Sequence, residues 1–126
     1  MDVFKTHGAF SWSELMTPDP AAATAFYGPL FGWKAEPMPM PQGTYTVVKA
    51  GDASVGGIMS PPPGMEGAPA VWGVYVTVTD VDATVAQAVA LGGKVIAPVM
   101  EVPGVGRMAV LADPQGACFS VMQYSM

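Results

Sequence analysis

Few side chains in this 126-residue chain are of types that carry out chemistry, so each can be weighed in turn. The only histidine, His7, stands ahead of the first periodic segment and reads as an exposed lead-in residue. Cys118 has no histidine or basic residue close in sequence and no predicted helix N-terminus to hold a thiolate, which reads as a buried, inert thiol. Ser120 has no histidine to serve it, so it lacks the base that a nucleophilic serine needs. Arg107 can pair with a ligand carboxylate or brace a turn. The sharpest candidate is Glu14. It shares one face of an alternating stretch with Phe10, Trp12 and Met16, and a carboxylate in apolar surroundings has its pKa raised by desolvation and can act as a general acid or base. The alternative is a structural carboxylate, held by backbone donors, Arg107 or a tyrosine, or sitting near water at the strand end. The glycine-rich turns lack the Lys-Ser/Thr and following helix of a phosphate loop.

These residues depend on elements that can be read from pattern. Phe10 to Met16 alternates as a strand. Asp19-Pro20 is a helix cap followed by a first-turn proline, and Ala23, Phe26, Tyr27 and Leu30 then form one apolar stripe. Pro29 predicts an irregular last turn near Gly28-Pro29. Strands are predicted over 33–38, breaking up at Pro37, Pro39 and Pro41, and over 44–50 and 54–59 around the Gly51-Asp52 turn. Residues 60–70, with three consecutive prolines, read as a linker. A strand over 71–79 leads to a helix capped by Asp80, with Val81, Val85, Ala88 and Val89 at helical spacing and Gly92-Gly93 as its stop. Strands over 94–102, 106–112 and 117–123 follow, the last two joined by the Asp113-Pro114-Gln115-Gly116 turn.

Composition bounds the class. The length and 51% apolar content suit one domain, residues 1–126, built as module 1 (10–59), linker (60–70) and module 2 (71–123). The net charge of −5, with five scattered basic residues, offers no stripe for phosphates and excludes a nucleic-acid partner, while acidity would suit a cationic ligand. One cysteine fits a reducing compartment, and neither a long uncharged apolar span nor a leader pattern is present. A soluble cytoplasmic protein without membrane partners is expected.

The two halves repeat. Asp19 maps on Asp80, Gly32 on Gly93, Gly43 on Gly104 and Asp52 on Asp113, each pair 61 positions apart without a gap. Each half reads β-α-β-β-β, an α+β fold of two tandem modules. That arrangement resembles the vicinal oxygen chelate superfamily, which includes glyoxalase I, bleomycin-resistance proteins and extradiol dioxygenases. The phrases that carry the resemblance are Trp12-Ser-Glu-Leu-Met-Thr-Pro-Asp19, Phe26-Tyr27 with Leu30-Phe31-Gly32-Trp33, Val78-Thr-Asp-Val-Asp-Ala83 and Gly106-Arg-Met-Ala-Val-Leu-Ala-Asp-Pro-Gln-Gly-Ala117. It spans residues 10 to 123 and is specific for fold rather than reaction.

The resemblance implies curved mixed sheets around a concave cleft, with metal ligands on the first and last strand of each module. Those positions fall on Trp12, Met59, Gly73 and Ser120, where metal chemistry needs His, Glu or Asp. No metal and no cofactor is therefore expected. Parity places Tyr75 and Thr77 with Gly73, Gly57 with Met59, and Cys118 and Met122 with Ser120. The expected ligand-binding residues are Trp12, Glu14, Met59, Tyr75, Ser120 and Met122, an aromatic and sulfur-rich lining; for Trp12 and Tyr75 plain core packing is the alternative. Trp72, of opposite parity, is expected to pack on a helix. Three functions stay open: a metal-independent protein that sequesters an aromatic or amphiphilic molecule, expected as a homodimer; an enzyme acting on a small carbonyl substrate with Glu14 as general acid/base; or a structural or regulatory partner domain that binds no ligand.

Overall fold

The computed structural model describes residues 1–40, 43–61 and 67–125. In chain order its elements are β1 (Phe10–Met16), α1 (Pro20–Phe31), β2 (Lys34–Met40), β3 (Gly43–Ala50), β4 (Ala53–Met59), β5 (Val71–Thr77), α2 (Val81–Ala90), β6 (Lys94–Val102), β7 (Gly106–Ala112) and β8 (Cys118–Tyr124). This is the expected α+β chain of two βαβββ modules. Tertiary contacts gather it into two compact units, one of Ser13–Gly73 and one of Met1–Trp12 with Val74–Met126. Pro41 and residues 62–66 of the expected linker lie outside the described residues.

In the Ser13–Gly73 unit the strand order is β2-β3-β4-β1, antiparallel except for the parallel β4–β1 pair. The Asp19 carboxylate caps α1 by accepting from the Ala22 amide at 3.1 Å, and Pro20 occupies the first turn, where its missing N–H is no loss. The helix runs through Pro29 rather than fraying there, and it ends at Gly32 in the left-handed conformation, whose N–H reaches the Gly28 carbonyl. Ala23, Tyr27 and Trp33 pack on the buried Leu15, Val48 and Ile58. The predicted stripe is only half used, because Phe26 and Leu30 are 61% and 56% exposed. Trp72 packs as expected on the helix side, donating Nε1–H to the Tyr27 hydroxyl at 3.1 Å. β2 continues through Pro37 and Pro39, which an edge strand tolerates because no ladder bond is required on its outer side.

The other unit has strand order β5-β8-β7-β6. Asp80 caps α2 by accepting from the Ala83 amide at 3.0 Å. Val81 is fully buried with Val78, Ala109, Leu111 and Val121, and Val85 and Ala88 pack against them, whereas Val89 faces solvent. Arg107 braces the helix from β7, donating to the Asp82 carboxylate at 2.8 Å, and that hydrogen bond holds its guanidinium above its usual pKa. The lead-in is pinned to the start of the second module. Thr77 exchanges backbone hydrogen bonds with Gly8 and Ala9, its hydroxyl donates to the Val3 carbonyl at 2.6 Å, and exposed His7 accepts at Nδ1 from the Thr79 amide at 3.1 Å.

The two modules do not superpose without a gap. Met16 pairs with Met59 in β1–β4, and Thr77 pairs with Met122 in β5–β8. Met16 and Thr77 are 61 positions apart, but Met59 and Met122 are 63 apart. The two additional residues lie in β6, which has nine residues against seven in β2 and carries register shifts between Val95/Ala97 and Ala97/Met100. Gly43, which opens β3, therefore corresponds to Gly106, which opens β7, and not to Gly104.

Candidate functional site

In the Ser13–Gly73 unit, Leu15, Val48 and Ile58 turn to the helix, so period-two alternation sends Glu14, Met16, Tyr45, Gly57 and Met59 to the opposite face. Glu14 lies beside Gly57 and Gly57 beside Val47. Tyr45 and Glu14 thus stand on strands two apart, about 10 Å between backbones, with β4 running between them. The Tyr45 side chain crosses that gap and its hydroxyl donates to Glu14 Oε2 at 2.8 Å. It can do so because residue 57 is glycine: a Cβ there would overlap the Tyr45 hydroxyl and ring carbons. The Gly57 backbone is not in the left-handed region, so space, not conformation, requires the glycine. Glu14, Tyr45 and Met59 are all half-buried.

The second unit carries the same construction with different chemistry. Tyr75 lies beside Ser120 and Ser120 beside Val110, while Met108 pairs with Met122. The Tyr75 hydroxyl reaches the Met108 sulfur at 3.8 Å. By register Tyr75 corresponds to Glu14, Ser120 to Gly57 and Met108 to Tyr45, so a diagonal contact from first strand to third recurs in each module. Tyr75 and Met122 are buried, Ser120 half-buried and Cys118 exposed. The exposed Cys118 corrects the expectation of a buried thiol: it lies at the mouth of the Asp113–Ala117 turn, where β8 starts. At the other end of β8 the Tyr124 hydroxyl lies 2.7 Å from the Ser11 hydroxyl. Burial pushes the Tyr124 phenol above its ordinary pKa, and the Ser11 contact partly offsets this.

The register also corrects the positions expected for superfamily metal ligands. The counterpart of Ser120 is Gly57 and that of Met59 is Met122, so Met59 and Ser120 do not match each other. With Trp12 and Gly73, either matched pair offers only an indole, glycines, a hydroxyl or thioethers, which do not fit a divalent ion that takes imidazole or carboxylate. Among the described residues no three His, Cys, Asp or Glu side chains gather in a metal-binding group.

Of the predicted ligand-binding residues, the fold brings Glu14 and Met59 together on one face, and Tyr75, Ser120 and Met122 together on another. Trp12 is half-buried on β1. Sequence reasoning allowed a tyrosine as the partner that holds Glu14, as found, but did not single out Tyr45. The available signal was the glycine pair Gly56-Gly57 inside a strand, which marks a close approach by another group.

The sequence matches the glyoxalase-like domain family over residues 12–122. It is 51% identical over 117 residues to CFP32 of Mycobacterium tuberculosis, a protein provisionally named a glyoxylase, covering 92% of this chain and 44% of that protein. It is 39% identical over 127 residues to the anthracycline biosynthesis protein DnrV of Streptomyces peucetius, covering 90% of this chain and 46% of the relative. The chain thus spans about half the length of these relatives. The fold is similar to that of methylmalonyl-CoA epimerase from Streptomyces coelicolor in complex with 2-nitronate-propionyl-CoA, with a TM-score of 0.68 at 13% identity over 96% of this chain and 100% of that one. The chain belongs to the glyoxalase-like domain family of the vicinal oxygen chelate superfamily.

Proposed function

We propose that this chain is a metal-independent small-molecule-binding protein of the glyoxalase and bleomycin-resistance type. It takes an aromatic or amphiphilic ligand on the sheet face that carries Glu14 and Met59. The observation that carries this reading is the Glu14–Tyr45 hydrogen bond over Gly57. It puts a protein-built polar centre on the same face as Met59, one of the positions where the superfamily resemblance implies a metal ligand. Met16 and Met59, partners across β1 and β4, supply soft apolar surface beside it that adapts to a flat ligand. Trp12, Tyr75, Ser120 and Met122 belong to the other unit and are proposed as binding residues there. The name of the relative DnrV points in the same direction, toward aromatic natural products. A homodimer in the cytoplasm completes the proposal.

An enzymatic reading draws on the same pair. Glu14, oriented by Tyr45, would move a proton at a carbon or oxygen next to the carbonyl of a small substrate. The deciding experiment is a thermal-shift screen of aromatic and acyl ligands on metal-stripped protein, followed by product analysis with the best binder. A ligand that raises the melting temperature of both wild type and Glu14→Gln and is recovered unchanged supports sequestration. Turnover by the wild type that Glu14→Gln abolishes supports the enzyme. Stoichiometric Zn, Ni, Fe or Mn in purified protein would refute the metal-independent reading.

A further inference from the structure

The hydrogen-bond direction at the Glu14–Tyr45 pair restricts what can bind there. Tyr45 spends its only proton on Glu14 Oε2, so what it can offer a ligand is the lone pairs of its oxygen. With Glu14 ionised, its carboxylate accepts hydrogen bonds and donates none. The pair then acts as an acceptor centre, and a ligand that joins it brings a donor. Beside it on the same face, the partnered Met16 and Met59 offer thioethers that favour a ring edge or face. Glu14 and both thioethers are half-buried, and at such a place a neutral hydroxyl gives up less hydration than an ammonium.

We infer that Tyr45 belongs to the binding site with Glu14, and that the two form an anchor for a flat ligand bearing an acidic hydroxyl, a phenol or an enol, which donates to the Glu14 carboxylate while its ring lies on Met16 and Met59. This deepens the proposed function and rests on its assignment of this face as a small-molecule site. Gly57 is part of the anchor, because any side chain there displaces the Tyr45 hydroxyl.

The test compares 7-hydroxycoumarin with 7-methoxycoumarin, rings that differ in the one proton the anchor reads, by fluorescence titration of the full chain. A hydrogen bond to a charged acceptor at a half-exposed site corresponds to a preference of about tenfold for the hydroxyl ring. Glu14→Gln should bring the two rings to within about twofold, with ring binding retained. Tyr45→Phe, checked for an unchanged circular dichroism spectrum, should weaken the preference. The absorbance of bound 7-hydroxycoumarin should also show it keeping its proton to higher pH than the free dye, an effect absent in Glu14→Gln. Equal binding of both rings by the wild type overturns this inference and leaves the site itself standing. A hydroxyl preference that survives Glu14→Gln overturns the anchor, and so does tighter Glu14-dependent binding of benzylamine than of the hydroxyl ring. Binding of neither ring at millimolar concentration overturns both this inference and the assignment of the face.

Discussion

The seating of Tyr45 over Gly57 makes a quantitative demand on stability. The Cβ added by Gly57→Ala meets no backbone atom among its three nearest neighbours; all three belong to the Tyr45 ring and hydroxyl. The new methyl must push that side chain aside, breaking its hydrogen bond to Glu14. Overpacking of this kind costs about 1–3 kcal/mol. For a chain of this size that lowers the melting temperature by roughly 3–5 °C per kcal/mol. Removing the obstacle first should remove the cost. On a Tyr45→Ala background the same Gly57→Ala change should be neutral or stabilising by a few tenths of a kcal/mol, since alanine restricts the unfolded chain more than glycine. The double-mutant coupling is then about 1–3 kcal/mol, read from urea unfolding of the four proteins. Gly56 supplies the control. A Cβ there would lie 2.6 Å from the Ser13 carbonyl oxygen, a backbone atom that cannot swing away, so Gly56→Ala should be costly on either background. If Gly57→Ala and Tyr45→Ala add within about 0.5 kcal/mol, the tyrosine does not occupy the space of residue 57 and the account of the site fails with it.

Two further outcomes follow from groups outside the binding face. Because the folded pKa of Tyr124 is raised by burial, the unfolded chain releases that proton first. The stabilisation is complete below the ordinary phenol range and is lost as pH rises through the folded value. Tyr124→Phe should therefore cost about 1 kcal/mol at neutral pH through the lost Ser11 hydrogen bond, yet lose stability less steeply than the wild type above about pH 10; parallel melting curves against pH would contradict this. Exposed Cys118 should react with a maleimide in native protein to one equivalent within the time taken by the unfolded chain. Protection until denaturation would return it to the buried class.

Elements whose signal is local were legible in the sequence. Asp19 and Asp80 announce their helices because a capping carboxylate needs only the next few amides, and both caps form as read. Strand parity was equally legible: Glu14 and Met59 do share a face, as do Tyr75, Ser120 and Met122. What failed was information set by partners rather than by neighbours. Pro29 looked like a helix breaker, but a single lost amide near the end of α1 is tolerated there and Gly32 supplies the true stop. Phe26 and Leu30 keep helical spacing with Ala23, yet of that stripe Ala23 and Tyr27 are the ones that pack on the buried Leu15, Val48 and Ile58, a choice that depends on how α1 lies on the sheet. The gapless repeat was the most consequential error. Glycines and aspartates recur at turns in any case, so Gly104 and Asp113 matched Gly43 and Asp52 by type while bulges in β6 absorbed two residues.

Correcting that register changes the meaning of the duplication. With Ser120 set against Gly57, the contact from Glu14 to Tyr45 and the contact from Tyr75 to Met108 become the same contact built twice. Each joins the first strand of a module to the third across the fourth. In one module the phenol sits on the third strand and donates to a carboxylate over a glycine. In the other it sits on the first strand and reaches a thioether, past a serine with a short side chain. The geometry is common to both modules, whereas a charged acceptor exists in only one. On the proposed reading, a ligand that needs a charged hydrogen-bond acceptor distinguishes the two modules, and the distinction rests on three matched positions: a glutamate at 14 where the other module has a tyrosine, a tyrosine at 45 where it has a methionine, and a glycine at 57 where it has a serine.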